Sequence, residues 1–213
     1  MINITGTAQN KTLVKICGIR SEMAAKTAIF SGAKFLGFNF VSGSRRKISP
    51  EVAKQIIDTI RNQVKTVGVF QNETAEFINK TAGDLGLDLV QLHGDESVDF
   101  IREINYPVIK ALNLETDFDL TQTLKTINSY EVEYILLDRE KQGKGKMLNP
   151  KHLSIICKEK SNVFVAGGLT PENVLDVVRT TKPFGIDVAS GIETRSIEDL
   201  EKIKLFCERV RNS

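Results

Sequence analysis

Cysteine is scarce: the three, Cys17, Cys157 and Cys207, are too few and too scattered among 213 residues for a disulfide framework or a zinc site. An excess of one charge is missing as well. Lys and Arg number 29 against 27 Asp and Glu, and the net charge of +2 gives no broad field for nucleic acid or an anionic membrane. Any anion must be held locally. The longest apolar runs, such as YILLD and VFVAGG, are strand-sized, whereas a membrane span needs about 20 residues. No membrane partner is expected. The opening MINITGTAQNKT lacks the basic-then-apolar order of a signal peptide; with free thiols, this makes a cytoplasmic location the expectation. No HxxH, CxxC or acidic cluster suggests a metal, and no GxGxxG or GxxxxGK[ST] suggests a dinucleotide or nucleoside triphosphate. No cofactor is therefore expected.

Also absent are a Gly/Ser/Pro linker, a charge block and a low-complexity stretch, so nothing divides the chain internally. A hydrophobic fraction of 41% with 26% charged residues suits one domain with a substantial core. Residues 1–11 read as a polar extension and 12–213 as the folded domain.

What the chain does contain is alternation. Runs rich in Val, Ile, Leu and Phe lie at 12–19, 35–40, 65–70, 89–94, 107–114, 134–139, 162–168 and 185–192. Between them lie helical patterns with starting signals: Ser21, Ser49-Pro50 and Thr170-Pro171. The expectation is eight strands, each followed by a helix of about 8–15 residues, the last spanning 196–211. Eight such units favour a single-domain (β/α)8 barrel over an open doubly wound sheet.

A barrel of this kind carries its chemistry where strands run into the following helices. Those positions are Cys17, Phe40, Phe70, His93, Leu112, Asp138, Gly168 and Ser190. Cys17 stands next to Gly18 in LVKICGIR, and a thiol there faces a ligand, although free cysteine also serves as a small buried hydrophobe. A base role needs a nearby positive charge or hydrogen-bond donor. Lys15 shares the strand face with Cys17, and Asp187 lies on the neighbouring eighth strand, so the two are expected to pair inside the barrel and set the field under Cys17. Asp138 either caps a turn or donates a proton. His93, in QLHGDE, is an acid/base candidate or a hydrogen-bonding group.

The glycine-rich turns GGLTPENV and ASGIE, with Gly167, Gly168, Ser190 and Gly191, expose backbone N–H groups after strands 7 and 8, where such barrels hold phosphate. In SGSRRKISP, Arg45, Arg46 and Lys47 are consecutive, and only one or two can face the site. A guanidinium suits a planar carboxylate.

Taken in order, VKICGIR, GFNF with SRRKISP, VGVF, QLHGDE, ILLD, GGLTPENV and GIDVASGIE resemble phosphoribosylanthranilate isomerase, from about residue 13 to the last helix. The resemblance implies a cofactor-independent Amadori rearrangement of a small phosphosugar, N-(5-phosphoribosyl)anthranilate, in tryptophan biosynthesis, by a monomer or homodimer. It assigns Cys17 as general base and Asp138 as general acid, Arg46 to the substrate carboxylate, and backbone groups around Gly167, Gly168, Ser190 and Gly191 to the phosphate. Where the family has GGTGKxFDW after its aspartate, this chain reads QGKGKMLNP, keeping Gly143, Gly145 and Lys146 without the aromatic segment. A related phosphosugar isomerase, or a barrel that binds a phosphosugar without turnover, are the alternative readings.

Overall fold

A computed structural model describes residues 11–139 and 147–213. Eight parallel strands close in sequence order: β1 (Leu13–Cys17), β2 (Phe35–Asn39), β3 (Lys65–Phe70), β4 (Leu89–Leu92), β5 (Val108–Leu114), β6 (Tyr134–Arg139), β7 (Val163–Val165) and β8 (Gly185–Val188). Closure is made by β1 against β8, with Lys15 opposite Asp187. The helices are α1 (Glu22–Ser31), α2 (Pro50–Ile60), α3 (Ala75–Leu85), α4 (Val98–Ile101), α5 (Leu120–Ser129), α6 (Pro150–Glu159), α7 (Val174–Thr181) and α8 (Leu200–Arg211). This is the expected (β/α)8 architecture. Among the described residues no helix is long and apolar enough to cross a membrane.

Local chemistry fixes the helix starts. Ser21, Ser49 and Thr74 each accept a backbone N–H of the first turn, and Pro50 opens α2 where its missing donor is harmless. Leucine, isoleucine and valine on the outward strand faces pack with the inner stripes of the helices into one large core. The barrel interior is a second, smaller core. Phe35, Tyr134, Phe164 and Phe184 meet there mostly edge to face, with ring centroids 4.9–5.8 Å apart. Phe35 and Tyr134 open their strands, Phe184 directly precedes β8 and Phe164 is the second residue of β7, so the N-terminal end of the barrel is plugged and the opposite rim is left for the site. Gly185 makes room for the plug, since a β-carbon there would stand 2.3 Å from the Phe164 ring.

Three expectations need correction. The fourth helix is one turn, because Ile101 is followed by loop residues on the way to Pro107, and Asn105 N–H is tied to the Asn79 side chain. The seventh helix begins at Val174 rather than after Thr170-Pro171: the Asn173 side chain accepts from Thr170 N–H and donates to the Gly168 carbonyl, holding 168–173 as a turn. The final helix begins at Leu200, capped by Asp199. Ahead of it lies a small hairpin, β9 (Glu193–Thr194) with β10 (Ile197–Glu198), turned by Arg195 and Ser196 at φ 51° and 64°.

Candidate active site

At the C-terminal rim lies a cavity of about 240 Å³, lined by Arg46, Asp138, Arg139, Asp187 and the loop backbones at Gly167–Leu169 and Ala189–Ser190. Two others, of 290 and 280 Å³, sit beside the starts of β5 and β3, at the end where such barrels carry no chemistry.

Cys17 ends β1, buried, and the chain then turns at Gly18. Both Gly18 N–H and Ile19 N–H donate to the Gly37 carbonyl on β2. Lys15, two residues before Cys17 and fully buried, donates to Asp187 at 2.8 Å. The expected pair thus exists, inside the barrel. Gly37 provides its space: a β-carbon there would lie 2.8 Å from the Cys17 Sγ and 3.2 Å from the Lys15 Nζ. Burial pushes the Cys17 thiol above its ordinary range; the Lys15 charge opposes the rise, Asp187 adds to it, and the net remains upward. For Lys15, burial acts downward, but Asp187 and Cys17 outweigh it and the ammonium is held above its usual range. The thiol thus sits beside a buried cation that Asp187 also faces. By contrast, Cys157 and Cys207 pack in helices with thiols pushed up to about 12 by burial.

Asp138 lies on β6 with one carboxylate oxygen accepting Arg139 N–H at 2.7 Å and the other 3.4 Å from His93 Nε2. His93 stands one residue beyond β4 and contacts the Gln91 side chain through Nδ1 at 3.0 Å. The buried Gln91 Oε1 is unpartnered, and exchanging the amide O and N would give His93 an acceptor in place of a donor. The loop carrying His93 is held from beneath. Glu96 accepts from Gly94 N–H and Asn72 N–H, and Lys110 on β5 donates to Glu96 and to the Gly94 carbonyl at 2.8 and 2.6 Å.

The loops after β7 and β8 interlock. Gly167 and Gly168 turn at φ 85° and 73°, and a β-carbon on Gly191 would stand 1.8 Å from the Leu169 carbonyl oxygen. Gly168 and Ser190 lie past the ends of their strands, in these loops. The short strands reflect the two glycines and the turn of helix at Ser190–Ile192.

Of the three consecutive basic residues after β2, Arg46 lines the cavity while Arg45 and Lys47 are exposed. Its stem crosses Gly18, where a β-carbon would meet Cδ at 2.5 Å. Its guanidinium is taken on one edge by Glu193, with Nε and Nη2 each donating at 2.8 Å. Sequence reasoning did not single out Glu193, Arg139, Gly37 or Gln91. A signal for Glu193 existed, since it closes the ASGIE segment considered for phosphate. Gly145 lies outside the described residues. Among the described residues no group of three or more His, Cys, Asp or Glu could hold a metal.

Comparison with known proteins bears on this arrangement. The family profile described as N-(5'phosphoribosyl)anthranilate (PRA) isomerase matches residues 14–209. The N-(5'-phosphoribosyl)anthranilate isomerase of Bacillus cereus (strain Q1) is 42% identical over 198 residues, covering 91% of this chain and 95% of the relative. The crystal structure of the phosphoribosyl anthranilate isomerase from Thermotoga maritima superimposes with a TM-score of 0.87 at 34% identity, covering 95% of this chain and all of that one. A phosphoribosyl anthranilate isomerase solved in complex with reduced 1-(o-carboxyphenylamino)-1-deoxyribulose 5-phosphate gives 0.80 at 34% identity, with 95% and 100% covered.

Proposed function

The chain belongs to the N-(5'-phosphoribosyl)anthranilate isomerase family, an isomerase of tryptophan biosynthesis, and from that premise we propose that Cys17 is its general base and Asp138 its general acid. The substrate is the phosphosugar N-(5'-phosphoribosyl)anthranilate and the product its 1-deoxyribulose 5-phosphate isomer. Asp138 gives a proton to the ribose ring oxygen, the C1–O bond breaks, and the nitrogen lone pair forms the protonated Schiff base. The Cys17 thiolate then takes the proton from C2; the C2–H electrons form the C1–C2 double bond and the C=N pair returns to nitrogen. The enolamine tautomerises to the ketone. Base and acid sit on separate strands, with β7 and β8 between them around the ring, so they can address different atoms of one bound sugar.

Arg46 takes the anthranilate carboxylate, and backbone groups at Gly167, Gly168, Ser190 and Gly191 take the phosphate. Arg139, on the wall of the same cavity beside Gly168, adds positive charge there. The observation that carries the reading is the convergence of Asp138, Arg46, Asp187 and both glycine-rich loops on one cavity, with Asp187 paired to the buried Lys15 two residues before Cys17.

The test follows the fluorescence of substrate generated in situ from anthranilate. The wild type should consume it rapidly, and Cys17→Ala and Asp138→Asn should each lose about 10²–10⁴-fold in kcat. A variant retaining wild-type turnover would remove that residue from its role, and a wild type at background would remove the substrate.

A further inference from the structure

Glu193 is 3% exposed at its side chain and receives three arginines. Arg46 meets it through both Nε and Nη2, Arg45 donates to Oε2 at 3.1 Å, and Arg20 Nη2 stands 3.5 Å from Oε1. Arg20 is itself fixed: its backbone N–H donates to Glu198 at 2.6 Å and its guanidinium to the Arg45 and Ser196 carbonyls. Three guanidiniums thus gather around two carboxylates, Glu193 and Glu198, and of these groups Arg46 lines the cavity.

The geometry says which anion-binding edge remains. A guanidinium offers two forked edges to a carboxylate: the side, Nε with one Nη, and the end, the two Nη groups. Glu193 occupies the side edge of Arg46. The stem is pinned over Gly18, and the residue lines the cavity. We infer that Glu193 is a positioning residue for carboxylate recognition, clamping the side edge of Arg46 so that the end edge receives a substrate carboxylate. This rests on the reading of Arg46 as the carboxylate-binding group and adds how that group is oriented. The clamp also ties two separate loops together, because Glu193 opens the β9–β10 hairpin after β8 while Arg46 belongs to the loop after β2.

The opposite role is chemically conceivable for the same contact: an internal carboxylate that competes with substrate for Arg46. The two predict opposite changes when Glu193 loses its charge. Calorimetric titration of the folded protein would use two probes, the reduced carboxyphenylamino-deoxyribulose 5-phosphate analogue and its counterpart lacking the ring carboxylate. The wild type should prefer the first by about 10²-fold, the order expected from hydrogen bonds to a charged group. In Glu193→Gln that preference should fall to within about tenfold while affinity for the carboxylate-free probe stays close to wild type, because a misplaced clamp affects only the group it holds. Glu193→Asp, which keeps the charge but shortens the reach, should lose part of the preference and serves where the glutamine variant does not fold. A preference unchanged in these variants, a gain in affinity for the carboxylated probe, or equal weakening of both probes would each overturn the positioning role. A wild type without preference would instead overturn the reading of Arg46, and the inference with it.

Discussion

Gly18 and Arg46 share a space that admits no side chain on residue 18: a β-carbon there would lie 2.5 Å from Cδ and 3.3 Å from Cβ and Cγ of the arginine. The nearest clash is with Cδ of the aliphatic stem of Arg46, so swinging the guanidinium alone does not relieve it. Residue 18 also has φ 83°, which disfavours any β-carbon. Gly18→Ala should therefore displace Arg46 and raise KM by about tenfold or more, with a stability loss of about 1–3 kcal/mol. Steady-state kinetics and thermal unfolding on the same samples check both. A wild-type KM would mean that Arg46 is held by Glu193 alone.

The upward push of burial on the Cys17 thiol has a signed consequence for pH. Below the pKa of a thiol, its thiolate fraction grows about tenfold per pH unit. Because burial pushes this thiol up despite Lys15, activity that depends on the thiolate should still be climbing as pH rises through 7 and 8. Likewise, alkylation of Cys17 by iodoacetamide should be slow at neutrality and accelerate with pH. A kcat/KM flat from pH 6 to 8 would show that the thiol is already ionised or is not the base.

Much of this site was legible in the sequence, because period-two alternation and parallel pairing between adjacent strands constrain geometry strongly. Lys15, Cys17 and Asp187 could be placed together from spacing alone, and the register of Lys15 with Asp187 agrees. Asp138 and His93 were equally readable as strand-end residues, and they lie 3.4 Å apart. The β9–β10 hairpin was not readable, since its turn residues Arg195 and Ser196 lack the Asn-Gly chemistry that announces such turns. Nor was the partner of Arg46: Glu193 is 147 positions away, in a loop whose path depends on that hairpin. Gly37 and Gly185 read as ordinary strand glycines until the bulky neighbours they accommodate are seen.

The Lys15–Asp187 pair should move the pH profile in opposite directions when either partner is changed. Asp187→Asn removes a negative charge that raises the Cys17 thiol, so the alkylation profile should shift to lower pH. Lys15→Met removes the charge that lowers it and leaves Asp187 facing the sulfur, so the profile should shift to higher pH. The second change also strands a buried carboxylate, at a cost of about 3–5 kcal/mol. Alkylation rates scored by mass spectrometry against pH, for folded protein, separate the two directions. Shifts of the same sign in both variants would show that the pair acts on Cys17 through structure and not through charge.

The Lys110–Glu96 pair beneath the His93 loop makes stability depend on pH with a defined sign. Burial would raise the Glu96 carboxyl, but the hydrogen bond and charge of Lys110 and the Asn72 N–H outweigh it and hold the group below its ordinary 4.5. A carboxylate with a depressed folded-state pKa contributes its full stabilisation above the unfolded value and loses it as pH falls through the folded one. Glu96→Gln should accordingly be less stable than wild type at pH 7, and the gap in urea midpoint should narrow as pH drops below about 4.5. Lys110→Met should be worse at pH 7, losing about 3–5 kcal/mol because it leaves Glu96 charged and buried, and should recover part of that loss in acid as Glu96 protonates. In both variants a contact of Gly94 that holds the His93 loop is lost or weakened. If instead the midpoints of Glu96→Gln and wild type run parallel from pH 7 to pH 3, Glu96 is not the ionised group that secures this loop.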